Sequence, residues 1–286
     1  MLDNDDTSGT SLTDAEAEGY RRDGFCSPLD VYTEEEAGEL RAQLERIEKK
    51  IKDDPELVRA VQKRPTWLLP FADEIVRNPR ITGRVASVLG PDVMVYNAAF
   101  FIKEANTGHF VSWHQDLHYW GFNADDEVTA WLALTPSTPE SGCMRFVPGS
   151  HKRVVEHVDT FDENNMLTRG QELAIKVDDK DACDVVLRPG QMSMHHGRMC
   201  HGSGANTSAD RRIGLAIRYI TPAMHQVTGE RFGATLVRGE DRYNHFELVP
   251  PPQGELHPDD LERWRRLMAL DHAVKYRGAA QGPAYA

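Results

Sequence analysis

The stretch VMVYNAAFFIK (Val93–Lys103) marks a change in the texture of the chain. It is rich in β-branched and aromatic residues, with Gly90-Pro91 before it and Asn106-Thr107-Gly108 after it, and this predicts a strand. Further strands are expected at Phe110–Gln115, Val128–Leu134, Cys143–Val147, Val185–Leu187, Gln191–His195 and Arg212–Ile220. Thr135-Pro136, Pro139, Ser141-Gly142, Pro148-Gly149 and Pro189-Gly190 separate them with turn chemistry. Many short strands punctuated in this way predict a sandwich or barrel, jelly rolls included. Lys152–Asp184 is longer and more polar than an ordinary connection and reads as a lid-like insert.

Upstream of this region the pattern is helical. Asp14 to Arg22 has helical composition and stops at Gly24. Thr33 and Glu36 form a capping box ahead of Leu40, Leu44 and Ile47, so a helix is expected to run to about Lys50, where Pro55 follows a charged break. Phe71 to Leu89 is helical with a joint at Asn78-Pro79. Downstream of Pro222 comes an extension with a turn at Pro250–Pro252 and a last helix from Pro258 to about Tyr276. One domain is therefore expected over residues 13–286: a helical layer (13–90), a β core (91–222) and an extension (223–286). Residues 1–12 are acidic and aperiodic and are expected to be disordered.

The chain of 286 residues carries 33 Lys and Arg against 45 Asp and Glu, a formal charge of −12. That balance argues against a sequence-independent grip on nucleic acid or an anionic membrane, both of which need clustered cations. No apolar run approaches the roughly 18 residues of a membrane span, and the acidic start does not resemble a secretory signal, so a cytoplasmic protein is expected. Its four cysteines, without a C-x-x-C pair, are expected to be free thiols.

Chemistry concentrates at three residues. His114 and Asp116 form an H-x-D pair at a strand end, where residues i and i+2 project from one face and can share a metal ion. His201 lies 87 residues further on, in CHGSGAN. Two imidazoles and one carboxylate make the facial triad of non-haem Fe(II) oxygenases, which leaves coordination positions open for an oxo-acid and dioxygen. Arg212, eleven residues after His201, can hold the distal carboxylate of 2-oxoglutarate bidentately. Gly214 and Ala216 share its face and leave room for a ligand, and Ser203 can add a hydroxyl donor. Arg218, on the same face, competes for that role.

The segments WHQDLHYW (113–120), TAWLALTPSTPESGCMRFVPGSHK (129–152) and MHHGRMCHGSGANTSADRRIGLAIRYI (194–220) resemble the phytanoyl-CoA dioxygenase family. The resemblance spans roughly Leu12 to Pro222. It implies a mainly β fold with flanking helices, whose core is a double-stranded β-helix, the cupin-like jelly roll. It also implies an Fe(II)- and 2-oxoglutarate-dependent dioxygenase that uses O2, with His114, Asp116 and His201 as iron ligands and Arg212 and Ser203 on the co-substrate. Asn97 falls where relatives place a co-substrate amide. His151 is expected to stabilise a turn, and His195 and His196 to lie behind the ligands or in the core. Halogenating relatives replace the triad carboxylate with a small residue. Asp116 therefore implies hydroxylation, or another radical oxidation such as desaturation.

His118, Tyr119 and Trp120, with Trp113 and Phe122, could line a substrate pocket or simply pack beneath the insert. Arg145, Lys152, Arg153 and Arg169 could form a basic patch for a polyanion, but the acidic balance favours a small polar or zwitterionic metabolite. Two other readings use the same residues: a non-catalytic β-helix sensor and a zinc-dependent hydrolase or isomerase. Loss of a triad residue or of Arg212 would favour the sensor, and the hydrolase has no use for a distal arginine. The final helix is assigned either to closing the site or to a homodimer contact.

Overall fold

The computed structural model describes residues 10–167 and 170–275, without the side chains of Tyr119 and of 272–275. Residues 1–9, Arg169 and Tyr276 thus lie outside the described residues. The chain opens with α1 (Asp14–Asp23), β1 (Phe25–Asp30), α2 (Glu34–Ile51), α3 (Pro55–Lys63), α4 (Pro70–Arg77) and α5 (Pro79–Leu89). The β region comprises β2 (Val93–Lys103), β3 (Val111–His114), β4 (Glu127–Ala133), β5 (Met144–Phe146), β6 (His157–Asp159), β7 (Gln171–Leu173), β8 (Cys183–Val185), β9 (Gln191–His196), β10 (His201–Ser203) and β11 (Arg212–Ile220). Two further strands, β12 (Gly233–Arg238) and β13 (Glu247–Leu248), precede α6 (Pro258–Lys275).

A seven-stranded sheet runs β1-β9-β4-β11-β2-β12-β13 and faces a four-stranded sheet, β3-β10-β5-β8. This is the expected double-stranded β-helix. The outer face of the large sheet carries Ala98, Phe100, Ala130, Leu132, Ile213, Leu215 and Ile217, which join one apolar core with Leu44 and Ile47 of α2, Ile75 of α4 and Trp264 of α6. Its inner face meets the small sheet through Trp131 and Ala216 on one side and Met144 and Phe146 on the other. Strand alternation therefore gives β11 two jobs: odd-numbered residues bind the helical layer, and Arg212, Gly214, Ala216 and Arg218 line the space between the sheets. A bulge in β2 at the Arg218/Tyr219 step inserts Tyr96, which joins Met94 on the inner side among Phe232 and Phe246.

Several elements depart from the sequence expectation, among them the short strand β10 that carries His201, which was not among the expected strands. Pro55 opens α3 instead of only ending α2: it occupies the first turn, and Asp54 caps the helix by accepting from the N–H groups of Glu56 and Leu57. β1 was not expected, because FCSPLD lacks alternation and contains a proline; as an edge strand it tolerates Pro28. The extension also supplies β12, which pairs antiparallel with β2. Leu12 packs on the helical core, and its N–H donates to Ser87 Oγ at 3.1 Å. The insert carries the β6–β7 hairpin. The four cysteines are free.

Candidate metal and co-substrate site

His114 ends β3 and His201 opens β10, and the two are direct cross-strand partners. The chain then turns through the 3-10 helix Asp116–Tyr119, which brings Asp116 back to the two imidazoles. One ligand atom from each of the three residues lies within 4.8 Å of the others, and all three side chains are buried. Each imidazole places Nδ1 against a backbone carbonyl: His114 on Ser112 O at 2.9 Å and His201 on Met199 O at 2.9 Å. Donation from Nδ1–H fixes the tautomer that leaves the Nε2 lone pair for a metal. Burial, and then the neighbouring His114, pushes His201 down to about 3. Burial alone would raise the Asp116 carboxyl, but Arg218 and then the two histidines hold it well below the usual range. Asp116 Oδ2 makes no hydrogen bond. Two imidazoles that hold Nε2 free of backbone partners and a carboxylate with a spare oxygen suit a divalent cation.

Beside this triad lies a second cluster. Arg212 is 1% exposed, donates from Nη1 to Gly142 O at 2.7 Å, and sits over the Trp131 ring with its guanidinium carbon 5.1 Å from the centroid. Its direct partner on β2 is Lys103, 0% exposed, whose ammonium donates to Ser203 Oγ at 2.6 Å and to Gly204 O. Burial, and then the charge of Arg212, pushes Lys103 down to about 6. Neither cation has a carboxylate partner among the described residues. A buried guanidinium and a buried lysine amine without a carboxylate partner favour an anion in the space they face. Gly214 is needed here, since a Cβ would stand 1.9 Å from the Trp131 ring. Asn206 holds the turn after Ser203 by donating to Lys103 O, Glu104 O and Asp210 O.

The structure brings His114, Asp116 and His201 together, and separately Arg212 with Ser203. Asn97 stands opposite Arg218, at the metal end of β2 and not beside Arg212. Trp120 faces Arg218 and Tyr96, with ring centroids 5.8 Å apart for the aromatic pair. His118 instead stacks on His157 of the insert at 4.2 Å. Tyr119's side chain lies outside the described residues. Trp113 points away from the triad, under Arg145. Arg145 pairs with Asp179 and Asp184, and Lys152 donates to Arg22 O, so these residues do not gather into a basic patch. His195 is buried behind His201, at 4.8 Å between ring centroids.

Two contributors escaped sequence reasoning. Lys103 carried a signal: it is the one cation in an apolar strand, at the register of Arg212. Gln115 carried none. Its amide donates to Arg153 O at 2.7 Å and Arg198 O at 2.6 Å and accepts from the Val155 N–H at 2.9 Å, while its own N–H donates to His157 Nε2 at 2.9 Å. The residue between the two candidate ligands thus ties the insert to the site.

The phytanoyl-CoA dioxygenase family model matches residues 20–214, which include the triad and both anchoring cations. The chain belongs to the phytanoyl-CoA dioxygenase family. A probable alpha-ketoglutarate-dependent hypophosphite dioxygenase of Stutzerimonas stutzeri is 31% identical over 179 residues, a match that covers 61% of each chain. Among solved structures, the apo form of the non-heme monooxygenase ThoJ superposes with a TM-score of 0.83 at 32% identity, covering 91% of this chain and 97% of that one. CytC3 with Fe(II) and alpha-ketoglutarate shares the fold, with a TM-score of 0.65 at 20% identity over 87% of this chain and 97% of its own. This family member is an Fe(II)- and 2-oxoglutarate-dependent dioxygenase, of the kind that includes hydroxylases. Among the described residues, no helix is long and apolar enough to cross a membrane.

Proposed function

We propose that this enzyme hydroxylates an unactivated C–H bond of a small polar or zwitterionic metabolite, with His114, Asp116 and His201 holding iron. Arg212 and Lys103, helped by the Ser203 hydroxyl, take the distal carboxylate of 2-oxoglutarate. The observation that carries this reading is the pairing of a three-ligand cluster with two buried cations that lack a carboxylate. When bound, iron and 2-oxoglutarate supply the oxidation that places one atom of O2 in the substrate and the other in succinate, with release of CO2.

The protein's own contribution is binding, orientation and exclusion of water. Arg212 offers a preorganised fork, already oriented by Gly142 O and the Trp131 face. Lys103 adds a second charge that forms most readily once an anion arrives. Asp116 fills the position that halogenating relatives leave open, which favours hydroxylation. His195 and Phe146, packed against His201, keep solvent from that side of the triad. A hydrolase built on the same ligands would leave the Arg212–Lys103 cluster without a task.

Anaerobic titration of the Fe(II) protein with 2-oxoglutarate tests this. The visible charge-transfer band of the chelate is expected in the wild type and absent in His201→Ala, and aerobic reaction should release succinate. Iron binding without the chelate band would move the sensor and hydrolase readings forward.

A further inference from the structure

Arg218 has no task in the co-substrate cluster. It lies six residues along β11 from Arg212 on the same face, roughly 20 Å at the usual rise per residue. The two arginines therefore leave the strand at separate points of the space between the sheets, Arg212 reaching over Trp131 and Arg218 over Phe101. Arg212 sits with Lys103 and Ser203, whereas Arg218 Nε stands 3.7 Å from Asp116 Oδ2 at the metal end. Its guanidinium carbon lies 5.4 Å from the Phe101 ring centroid and 5.7 Å from that of Trp120. The residue is 7% exposed, and its Nε makes no hydrogen bond.

Few groups near Arg218 could balance its charge. Asp116 is its ion-pair partner, and that carboxylate is committed to the metal. Glu127 turns to the Thr129 hydroxyl, from which it accepts at 2.7 Å, and makes no ion pair with Arg218 among the described residues. His195, paired in register with Thr129, faces the same space and brings no negative charge to it. Opposite Arg218 in register, Asn97 leaves its Oδ1 buried without a partner. A buried guanidinium whose one carboxylate is shared with a dication remains short of negative charge.

We propose that Arg218, with Asn97 and Trp120, forms the subsite for an oxyanion on the substrate, a carboxylate or a phosphorus oxyanion, and so orients the C–H bond to be oxidised. This rests on the function proposed above. The guanidinium fork donates to the anion, the Asn97 amide meets a neighbouring polar group of the same molecule, and the Trp120 ring covers the site from one side. Arg212 is already assigned to 2-oxoglutarate.

The test uses the anaerobic Fe(II) protein saturated with 2-oxoglutarate, as wild type, Arg218→Met and Arg218→Lys. The chelate band is read first; its absence from the wild type would refute the function itself, before the subsite is addressed. Methylphosphonate and acetate are then titrated against neutral acetamide, following the band and the thermal midpoint. The anions should bind the wild type and acetamide should not, and Arg218→Met should weaken the anions by about tenfold or more, the usual worth of a charge-assisted hydrogen bond. Arg218→Lys should fall between the two, with 2-oxoglutarate affinity little changed in either variant. Three results would overturn the proposal: anion binding untouched in Arg218→Met, no anion effect on the wild type, or loss of the chelate band in both variants. The last would make Arg218 a support for Asp116 or for 2-oxoglutarate.

Discussion

Replacing Lys103 with Met should stabilise the ligand-free protein while weakening its hold on 2-oxoglutarate. The ammonium has no exposed surface and sits across from Arg212, and together these bring its pKa from 10.5 to about 6. Between those values the folded chain has released a proton that the unfolded chain still holds. The residue's contribution is therefore fully favourable above the unfolded value and is lost as pH falls towards the folded one. The slope is about 1.4 kcal/mol per pH unit, so raising the pH from about 7 to about 9 should stabilise the wild type by about 2.7 kcal/mol through this residue alone. Lys103→Met lacks that increment, and subtracting the two denaturation series cancels the other titrating groups. Urea unfolding of metal-free protein at both pH values measures it. With an inert divalent metal and 2-oxoglutarate bound, the ammonium gains its counter-ion and the extra slope should shrink. A difference between wild type and variant within a few tenths of a kcal/mol would mean that Lys103 stays charged in the ligand-free folded protein, and the idea that its charge forms when the anion arrives would fail.

Arg212→Ala should raise the apparent KM for 2-oxoglutarate by roughly ten- to a hundredfold, as expected for loss of a charge-assisted pair, with little change in the KM for the prime substrate. Steady-state succinate assays separate the two, and a shift confined to the prime substrate would contradict the assignment. Gly214→Ala places a methyl group 1.9 Å from the Trp131 ring, so the ring must move; a loss of about 1–3 kcal/mol in denaturation is expected, with weaker 2-oxoglutarate binding. Gln115→Ala removes two side-chain hydrogen bonds that tie the insert to the metal motif, to Arg153 O and from the Val155 N–H, and a third to Arg198 O, at about 1 kcal/mol each. Limited proteolysis should then cut the insert faster while iron still binds, and an unchanged cleavage rate would show that other contacts hold it.

Much of the fold and the two faces of β11 were legible because both follow from strand parity, whereas Asp116 reaches the histidines through a 3-10 turn and not along a strand. Alternation along β11 put Ile213, Leu215 and Ile217 on one face and Arg212 and Arg218 on the other, and the structure buries the first set under helices and the second between sheets. The same parity on β2 would have revealed Lys103 had the pairing register been known, but register belongs to two strands and cannot be read from one. It also explains the position of Asn97, which lies on the inner face yet at the opposite end of β2 from Lys103. Parity further separates Trp113 from His114, turning the tryptophan away from the site it adjoins in sequence. Gln115 shows where the method stops: its role consists of hydrogen bonds to carbonyls at Arg153 and Arg198, far along the chain and without any side-chain pattern of their own. Backbone partners leave no trace in composition. A side chain that works by holding two loops together is thus visible only after folding, whereas one that works by charge on a strand face announces itself beforehand.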